Sequence, residues 1–487
     1  MKKQQFNPIL ALDEYVPDGE PHVFGDRVYL FGSHDKEGGE VFCMLDYVAY
    51  SAPVDNLKDW RYEGVIYRRE QDPVIAASKK PRYLYAPDVV RGNDGKYYLY
   101  YCRDGFKEPI QVAVCDSPAG QYQYLGYVRN EDGTPFLKRI PFDPGVINDE
   151  GQIRLYYGSA VHLGSDLISK LSMKITGRIL YGKYKDSGFD GNIMGANVVM
   201  ISDDMMTVTS EPKRIVPCQM EADGTAYWNH AFLEASSIRK IGKKYYFIYS
   251  TNVNHELCYA ISEYPDKGFE YGGVIISNGD IGYQGRKEKD RLNTTGNNHG
   301  SIEKINGEWY IFYHRHTHNR ATSRQACAEK IQILEDGSIP QVEMTSCGLN
   351  DGNLLDCGKY PATICCNLTD GNMLHLIYQV SKVKKPYITN GDKESYITNI
   401  YDNVSIVYKY FDFHGKRTLS VLLRGEATGK LTAYAGEKEL CTFLVKPQLS
   451  WMRYSAEIFT EGSAALRFVY HGEGSVEMME FEFKISE

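Results

Sequence analysis

The sequence predicts an all-β protein: a five-bladed β-propeller over residues 1–334, followed by a β-sandwich over residues 335–487. Three observations predict this fold class. One hairpin pattern recurs five times in the first part of the chain, the 39 tyrosines suit half-buried strands, and the hairpin pattern stops near residue 335. Radial repetition of small antiparallel sheets is the construction of a propeller.

Each copy of the hairpin joins a short apolar strand to an alternating aromatic strand through a turn rich in Gly, Asp or Asn. The five copies are PHVFGDRVYLFGS, DVVRGNDGKYYLYY, GVINDEGQIRLYYG, SSIRKIGKKYYFIYS and GSIEKINGEWYIFYH. Two further strands complete a blade in VAYSAPVDNLKDWRYEGVIYR, VAVCDSPAGQYQYLGYVR and YAISEYPDKGFEYGGVII. An immunoglobulin-like sandwich would not repeat one hairpin five times. The polar stretch YGKYKDSGFDGN in the third blade is interpreted as a surface insertion.

The second part of the chain predicts short alternating strands, as in SIVYKYFDFHGKRTLSVLLRG and MRYSAEIFTEGSAALRFVY. The polar stretch SKVKKPYITNGDKES is interpreted as a loop within this domain. Two roles remain open for the domain: it binds carbohydrate, or it packs on the propeller and supports the rim of a pocket. We favour the structural role.

Charge and composition narrow the classes of partner. A net charge of −8 without a basic stripe argues against nucleic acid, and no apolar run is long enough for a membrane span. The N-terminal segment MKKQQFNPILALDEYVPDGE has only a short apolar patch, so we expect no processing there. Eleven scattered cysteines indicate reduced thiols and a cytoplasmic location.

One polar residue stands at the entrance to the first strand of each predicted blade. These residues are Asp18, Asp88, Asp143, Glu234 and His299. Taken singly, an Asp in a turn is usually a turn-former or a cap. Five polar residues at one phase of five repeats are harder to explain as turns. Because the first strand of a blade lines the propeller axis, we expect the five side chains to converge at one mouth and form a pocket.

Three carboxylates and a histidine suit glycoside hydrolysis. One protonated carboxyl gives its proton to the leaving oxygen, and an ionised one attacks the anomeric carbon or activates water. A third carboxylate nearby can raise the pKa of the acid by like-charge repulsion.

With these motifs in order, residues 5–335 resemble glycoside hydrolase family 43. The segment VPDGEPHVFGDRVYLFGSHD resembles the motif of the general base, which implies that role for Asp18, although Pro17 and Gly19 replace the usual Ala and Pro. PFDPGVINDEG implies that Asp143 tunes a pKa and orients substrate, and FLEASSIRKIG implies that Glu234 is the general acid. The resemblance implies an inverting mechanism, with the base and acid carboxyls roughly 6.5–9.5 Å apart.

The resemblance also implies substrate contacts. YAPDVV resembles a Trp-Ala-Pro-Asp element, with Tyr85 in place of Trp and Asp88 lining the pocket. NNHGSIEKINGEWYIFYHR resembles the fifth-blade histidine motif, which implies that His299 and Arg315 contact substrate. Some relatives hold a calcium ion beside this histidine. A single histidine cannot specify calcium, which prefers several oxygen ligands, so no cofactor is required and an axial ion stays open.

The activity implied is the release of a terminal pentose, α-L-arabinofuranose or β-D-xylose, from plant-derived oligosaccharides. The sequence does not distinguish the two sugars or specify the oligomeric state. Two rival functions remain: a propeller that binds sugar without cleaving it, and a glycoside phosphorylase, which would need basic residues around a phosphate.

Overall fold

The computed structural model describes residues 4–160, 193–375, 384–391 and 394–485, and the predicted insertion at residues 181–192 lies outside them. The described regular structure is almost entirely strand. Its helical segments are one short α-helix and five 3-10 turns: Pro73–Ala76 for the α-helix, then Arg69–Gln71, Asn278–Asp280, Tyr283–Gly285, Glu288–Asp290 and Ala362–Ile364. None of these described segments could span a bilayer.

Five antiparallel sheets follow one another along the chain, and within each the strands pair in sequence order. Blades 1 and 2 are β1 (Glu20–Phe24), β2 (Arg27–Phe31), β3 (Tyr47–Pro53) and β4 (Arg61–Tyr67), then β5 (Leu84–Arg91), β6 (Tyr97–Arg103), β7 (Gln111–Cys115) and β8 (Gln123–Tyr127). Blades 3 and 4 are β9 (Gly145–Asp149), β10 (Gln152–Ser159), β11 (Gly195–Ile201) and β12 (Lys213–Val216), then β13 (Phe232–Ile241), β14 (Lys244–Thr251), β15 (Glu256–Ser262) and β16 (Glu270–Ser277). Blade 5 is β17 (Ile302–Ile305), β18 (Glu308–His316) and β19 (Arg324–Ile331). The predicted five-bladed propeller is confirmed.

Tight turns set the register of the hairpins that the sequence predicted. Phe24 pairs with Arg27, and Gly25 in the loop between them has φ 67°. In blade 5 the loop is Asn306-Gly307, with φ 49° and 90°. Positive φ at both Asn306 and Gly307 matches the twist of the flanking strands, and the Asn-Gly pair tolerates this conformation best.

Tyrosines fill the space between the blades. Twelve of those that the structure describes in the propeller are at most 2% exposed: Tyr15, Tyr47, Tyr67, Tyr100, Tyr101, Tyr122, Tyr156, Tyr157, Tyr246, Tyr249, Tyr259 and Tyr313. Several place the hydroxyl on a backbone carbonyl of a neighbouring segment, as Tyr100 does on Met205 O at 2.6 Å. A tyrosine with such a bond supplies apolar area and a satisfied polar group together.

The first strands of the blades contact one another around the propeller axis. Asp88 Oδ1 lies 2.6 Å from His22 Nε2, and Asp88 Oδ2 accepts a hydrogen bond from the backbone N–H of Val146 at 2.7 Å. The guanidinium of Arg239 lies 3.1 Å from a carboxylate oxygen of Glu20. Asp88 of blade 2 thus contacts blades 1 and 3, and Arg239 links blade 4 to blade 1.

The chain ends of the propeller meet between blades 5 and 1. The backbone N–H of Ile9 donates to Ala326 O at 2.9 Å, and the Asn7 side chain donates to Ala328 O, also at 2.9 Å. Gly19 bridges to Gly300 in parallel. The N-terminal segment therefore extends blade 5 and closes the ring.

The C-terminal part forms one ten-stranded sheet around a single apolar core. Its strands are β20 (Leu354–Leu355), β21 (Gly358–Pro361), β22 (Asn367–Thr369), β23 (Tyr387–Asn390), β24 (Ser395–Ile400), β25 (Ser405–Gly425), β26 (Thr428–Ala435), β27 (Lys438–Val445), β28 (Gln448–Glu473) and β29 (Val476–Ile485). Two sequence predictions are wrong here. β25 and β28 have 21 and 26 residues rather than being short, and β23 lies in the segment interpreted as a loop.

Polar contacts join this domain to the propeller. Lys409 forms an ion pair of 2.9 Å with Asp280 of the propeller. At the pocket end, the backbone N–H of Asn390 in β23 donates to Glu37 at 2.8 Å. Glu37 belongs to the segment between β2 and β3, and the next residue, Gly38, donates its N–H to the Ser323 hydroxyl at 2.9 Å.

Candidate active site

A cavity of about 210 Å³ opens at the end of the propeller where the first strands begin. It is lined by Asp18, Phe42, Cys43, Tyr85, Ala86, Phe106, Phe142, Asp143, Glu234, Asn297, His299 and Arg324. Five of the seven sequence-predicted site residues are in this set: Asp18, Tyr85, Asp143, Glu234 and His299. The cavity is small for a ligand site and suits a single sugar ring better than an extended chain.

Left-handed backbone conformations aim the acids into the cavity. Asp18 and Asp143, each just before an inner strand, have φ of 57° and 45°. Ala235, directly after Glu234, has φ 68°, and the pairing of β13 with β14 is irregular on both sides of Glu234. Residues other than glycine adopt this region at a cost, and such strain concentrates at functional sites.

Asp18 is held by a cation on one side and a neutral histidine on the other. Arg324 Nη1 lies 2.9 Å from Asp18 Oδ1. The backbone N–H of Asp18 donates to His314 Nδ1 at 3.2 Å, so that ring nitrogen carries no proton. His314 Nε2 then donates to Asn297 O at 2.9 Å. Burial, followed by the charge of Arg324, holds the pKa of His314 well below its usual range.

Asp143 lies in a less polar setting. Its Oδ2 accepts the backbone N–H of Ala235 at 3.0 Å, and the Cys102 thiol lies 3.8 Å from Oδ1. Burial raises the pKa of Asp143 well above its usual range, and the carboxylates of Glu234 and Asp18 raise it further. The group therefore favours the protonated form when its neighbours are charged.

Glu234 is half-buried beside these two acids. Burial is the largest cause that raises its pKa, the charge of Asp18 is the second, and together they bring it to about 7. The charge of Arg324 and a hydrogen bond with Asn297 oppose the rise. A glutamic acid with this pKa is protonated below neutral pH and can act as a proton donor.

His299 lies between two of the carboxylates. Its Nδ1 is 3.8 Å from Asp18 Oδ1 and 4.0 Å from Asp143 Oδ2. Burial lowers the pKa of His299, so the ring is neutral near neutral pH. A neutral ring here can hydrogen-bond a sugar hydroxyl without adding charge.

Aromatic rings form the rest of the wall. Phe142 lies 6.3 Å from Tyr85, edge to face, and 4.8 Å from Phe106, measured between ring centroids. Phe42 covers the guanidinium of Arg324 at 4.6 Å. Apolar walls around a few polar groups are typical of sites for small ligands.

Two sequence-predicted contacts lie elsewhere. Asp88 is completely buried and belongs to the axial contacts with His22 and Val146, because a bulge between Tyr85 and Asp88 interrupts the pairing of β5 with β6. Arg315 points away from the cavity and donates to Cys365 O in the C-terminal domain at 2.9 Å. Both predictions need correction: neither side chain lines the cavity.

Arg324, Asn297 and Phe42 are cavity residues that the sequence reading missed. Alternation along β18 held a signal for Arg324, since His314 and His316 both lie 2.9 Å from Asn297 O and His316 pairs with Arg324 across the sheet. Asn297 lies two residues before His299 in the quoted motif. Phe42 lies between two strands, where no periodicity places it.

The described groups beside His299 do not fit a calcium site. Calcium takes six to eight oxygen ligands. Asp18 is already paired with Arg324, and Asp143 accepts the N–H of Ala235. The nearest described set with metal-ligand spacing, Glu20, His22 and Asp88, lies against the guanidinium of Arg239.

Comparisons with known proteins identify the family of the chain. The family described as Glycosyl hydrolases family 43 matches residues 7–339. The chain is 45% identical to a xylosidase/arabinosidase of Thermoclostridium stercorarium over 99% of both chains. It is 30% identical to xylosidase/arabinosidase 43A of Humicola insolens, over 63% of this chain and 89% of that protein.

Solved structures share the fold of the chain. A β-xylosidase/α-arabinofuranosidase from a compost microbial metagenome, in complex with xylotriose and in a calcium-free form, has a TM-score of 0.51 at 26% identity. The match covers 70% of this chain and 98% of that enzyme's chain. A family 43 enzyme of Xanthomonas citri in complex with xylose has a TM-score of 0.52 at 22% identity, over 70% of this chain and 94% of its own. The chain belongs to glycosyl hydrolases family 43 and is a glycoside hydrolase.

Proposed function

We propose that the protein is an inverting exo-glycosidase that releases a terminal pentose, β-D-xylose or α-L-arabinofuranose, from plant-derived oligosaccharides. The observation that carries this is the convergence of Asp18, Asp143 and Glu234 on one small cavity, with Glu234 protonated below neutral pH. The names of the relatives, xylosidase/arabinosidase, support the choice of sugars.

The roles follow from charge. Asp18, paired with Arg324, takes a proton from a water molecule as the water oxygen bonds to the anomeric carbon. The glycosidic C–O bond breaks in the same displacement, and Glu234 gives its proton to the departing oxygen. Asp143 orients the sugar, and whenever it is ionised its charge favours the protonated form of Glu234.

The residues around the acids hold the sugar. We propose that His299 and Tyr85 contact the pentose, as the sequence predicts, and that Arg324 replaces Arg315 as the basic contact. Arg324 holds the general base, so it also fixes the line along which water attacks.

A single displacement requires room for water between sugar and base. We expect the Asp18 and Glu234 carboxyls to lie roughly 6.5–9.5 Å apart in the substrate complex, against about 5–5.5 Å for a retaining pair. The retaining separation in a crystal structure with bound sugar would refute the assignment of roles.

The direct test is release of 4-nitrophenol from its β-D-xyloside and α-L-arabinofuranoside. We expect the wild type to cleave at least one, and Asp18→Asn to lose about 10²- to 10⁴-fold in kcat. The exposed Glu131→Gln is the control, since it removes a carboxylate far from the cavity. A folded wild type that cleaves neither glycoside and no xylo-oligosaccharide would favour the sugar-binding alternative.

The phosphorylase alternative gains little from the geometry. A phosphate site needs unpaired cations, whereas Arg324 is shared between Asp18 and Asp35, at 2.9 and 2.8 Å. Turnover that depends on phosphate would restore this alternative.

Two further sequence predictions stay proposals. The cytoplasmic location stays a proposal that rests on the eleven scattered cysteines of the sequence. We also retain the division at residues 334 and 335, with a structural role for the C-terminal domain; β19 ends at Ile331 and β20 begins at Leu354.

A further inference from the structure

An aromatic ring at the cavity rim faces solvent. The side chain of Phe106, between β6 and β7, lines the cavity, and the residue is 58% exposed. Its inner contact is with Phe142, the neighbour of Asp143 in sequence, at 4.8 Å. Phe142 is 5% exposed, so the aromatic wall runs from the buried acids to an open edge.

The segment that carries this ring is fixed by ion pairs on both sides. Arg82 lies 2.9 Å from Asp104 and 2.7 Å from Glu108, and Arg103 lies 2.7 Å from the other oxygen of Glu108. Arg103 is anchored in turn by the fully buried Asp72 at 3.0 Å. Phe106 stands between Asp104 and Glu108, so its backbone is held on either side.

The combination needs an explanation. Large exposed apolar side chains are common singly and need no special account. Phe106 differs from such single side chains, because it stands at the mouth of a cavity and four charged groups hold its segment. These ion pairs reduce the conformational entropy that the segment loses when a ligand packs on the ring. An ordered, half-exposed aromatic ring is a ready platform for the apolar face of a sugar.

We infer that Phe106 binds the sugar on the leaving-group side of the cleaved bond and thereby sets a preference for oligosaccharides over simple glycosides. The inference rests on the proposed function, since it takes the cavity to hold the terminal pentose. The cavity, of about 210 Å³, has room for one sugar ring, so we place the next residue of the substrate at its rim. At the rim, Phe106 offers an exposed aromatic face to that second sugar.

The test compares a substrate that has a leaving sugar with one that has none. Xylobiose places a xylose at the rim, whereas β-D-xylosyl fluoride leaves it empty. We expect Phe106→Ala to lower the ratio of kcat/KM for xylobiose to that for the fluoride by about tenfold, the size of one lost stacking contact. Phe106→Trp keeps an aromatic face and should keep the ratio within about twofold.

Phe459→Ala is the matched control. Phe459 is 61% exposed in β28 of the C-terminal domain, so it tests for a general effect of removing a surface phenylalanine. Glu108→Gln, which weakens both ion pairs to Arg82 and Arg103, should lower the ratio in the same direction, by about threefold. Its KM for xylobiose should rise while kcat changes little, because the ring remains but is less ordered.

The outcomes separate the two proposals. A wild type inactive on xylobiose, on β-D-xylosyl fluoride and on 4-nitrophenyl α-L-arabinofuranoside would refute the proposed function and this inference with it. An active wild type whose ratio is unchanged by Phe106→Ala would refute only the role of Phe106. Binding gives a second readout: xylobiose should bind Glu234→Gln more tightly than the double variant with Phe106→Ala, and xylose should bind both equally.

Discussion

Replacing Glu234 by Gln should stabilise the folded protein, and more so as the pH rises. Burial and the charge of Asp18 raise the pKa of Glu234 from 4.5 to about 7 in the folded state. A carboxyl with a raised folded pKa favours folding at low pH and loses that advantage as pH rises from 4.5 to about 7. Gln has the shape of the protonated acid and never ionises, so it does not incur this loss.

The magnitude follows from the two pKa values. A rise from 4.5 to about 7 corresponds to roughly 3 kcal/mol at pH 8, where both states are ionised, and to about 1 kcal/mol at pH 5. The variant should therefore gain about 2 kcal/mol over the wild type between these pH values. The gain has the opposite sign to most substitutions of buried residues, which destabilise.

Urea titrations at pH 5 and pH 8, followed by circular dichroism, measure this gain as the difference in unfolding free energy. The exposed Glu131→Gln controls for loss of one surface carboxylate and should show no comparable dependence on pH. Equal differences at the two pH values for Glu234→Gln would refute the raised pKa. The assignment of Glu234 as the proton donor near neutral pH would then lose its physical basis.

Three further predictions concern catalysis and stability. The profile of kcat/KM against pH should fall on its alkaline side near pH 7. Asn297→Ala should move this alkaline limb to higher pH, because the Asn297 hydrogen bond lowers the pKa of Glu234. An alkaline limb that stays in place would argue against this bond. Glu234→Gln should lose about 10²- to 10⁴-fold in kcat on xylobiose but far less on a 4-nitrophenyl glycoside, whose leaving group needs little protonation; equal losses would contradict the role of Glu234 as acid. Asp88→Asn should lower the melting temperature, because it removes the buried carboxylate that contacts His22. KM for the glycoside should stay within about twofold of the wild type. A large rise in KM would show that Asp88 contacts the substrate.

Much of the fold was predictable because it is local. Each hairpin has a period of two, a short Gly-containing turn and sequence-adjacent strands, so the five copies appear directly in the sequence. The C-terminal domain was harder. The pairing of β25 with both β28 and β29 joins segments far apart in the chain, and a continuous 26-residue strand such as β28 reads like several short ones.

The sequence predicted which polar residue opens each blade, but it did not predict which way every one of these side chains points. Asp18, Asp143, Glu234 and His299 share one position relative to their blades, and all four reach the cavity. Asp88 shares that position, but the bulge before it turns its carboxylate toward blade 3. Positions on connecting segments, such as that of Phe42, depend on contacts between blades that periodicity does not encode.

The hydrogen bond from Asn390 to Glu37 bears on how this enzyme can be divided. Glu37 lies on the same connecting segment as Phe42, which covers Arg324, which in turn holds Asp18. Three contacts and one connecting segment thus link the second domain to the group that activates water. Exchanging or deleting the second domain would therefore alter catalysis as well as solubility, and engineered chimaeras should inherit residues 32–46 and β23 from the same parent.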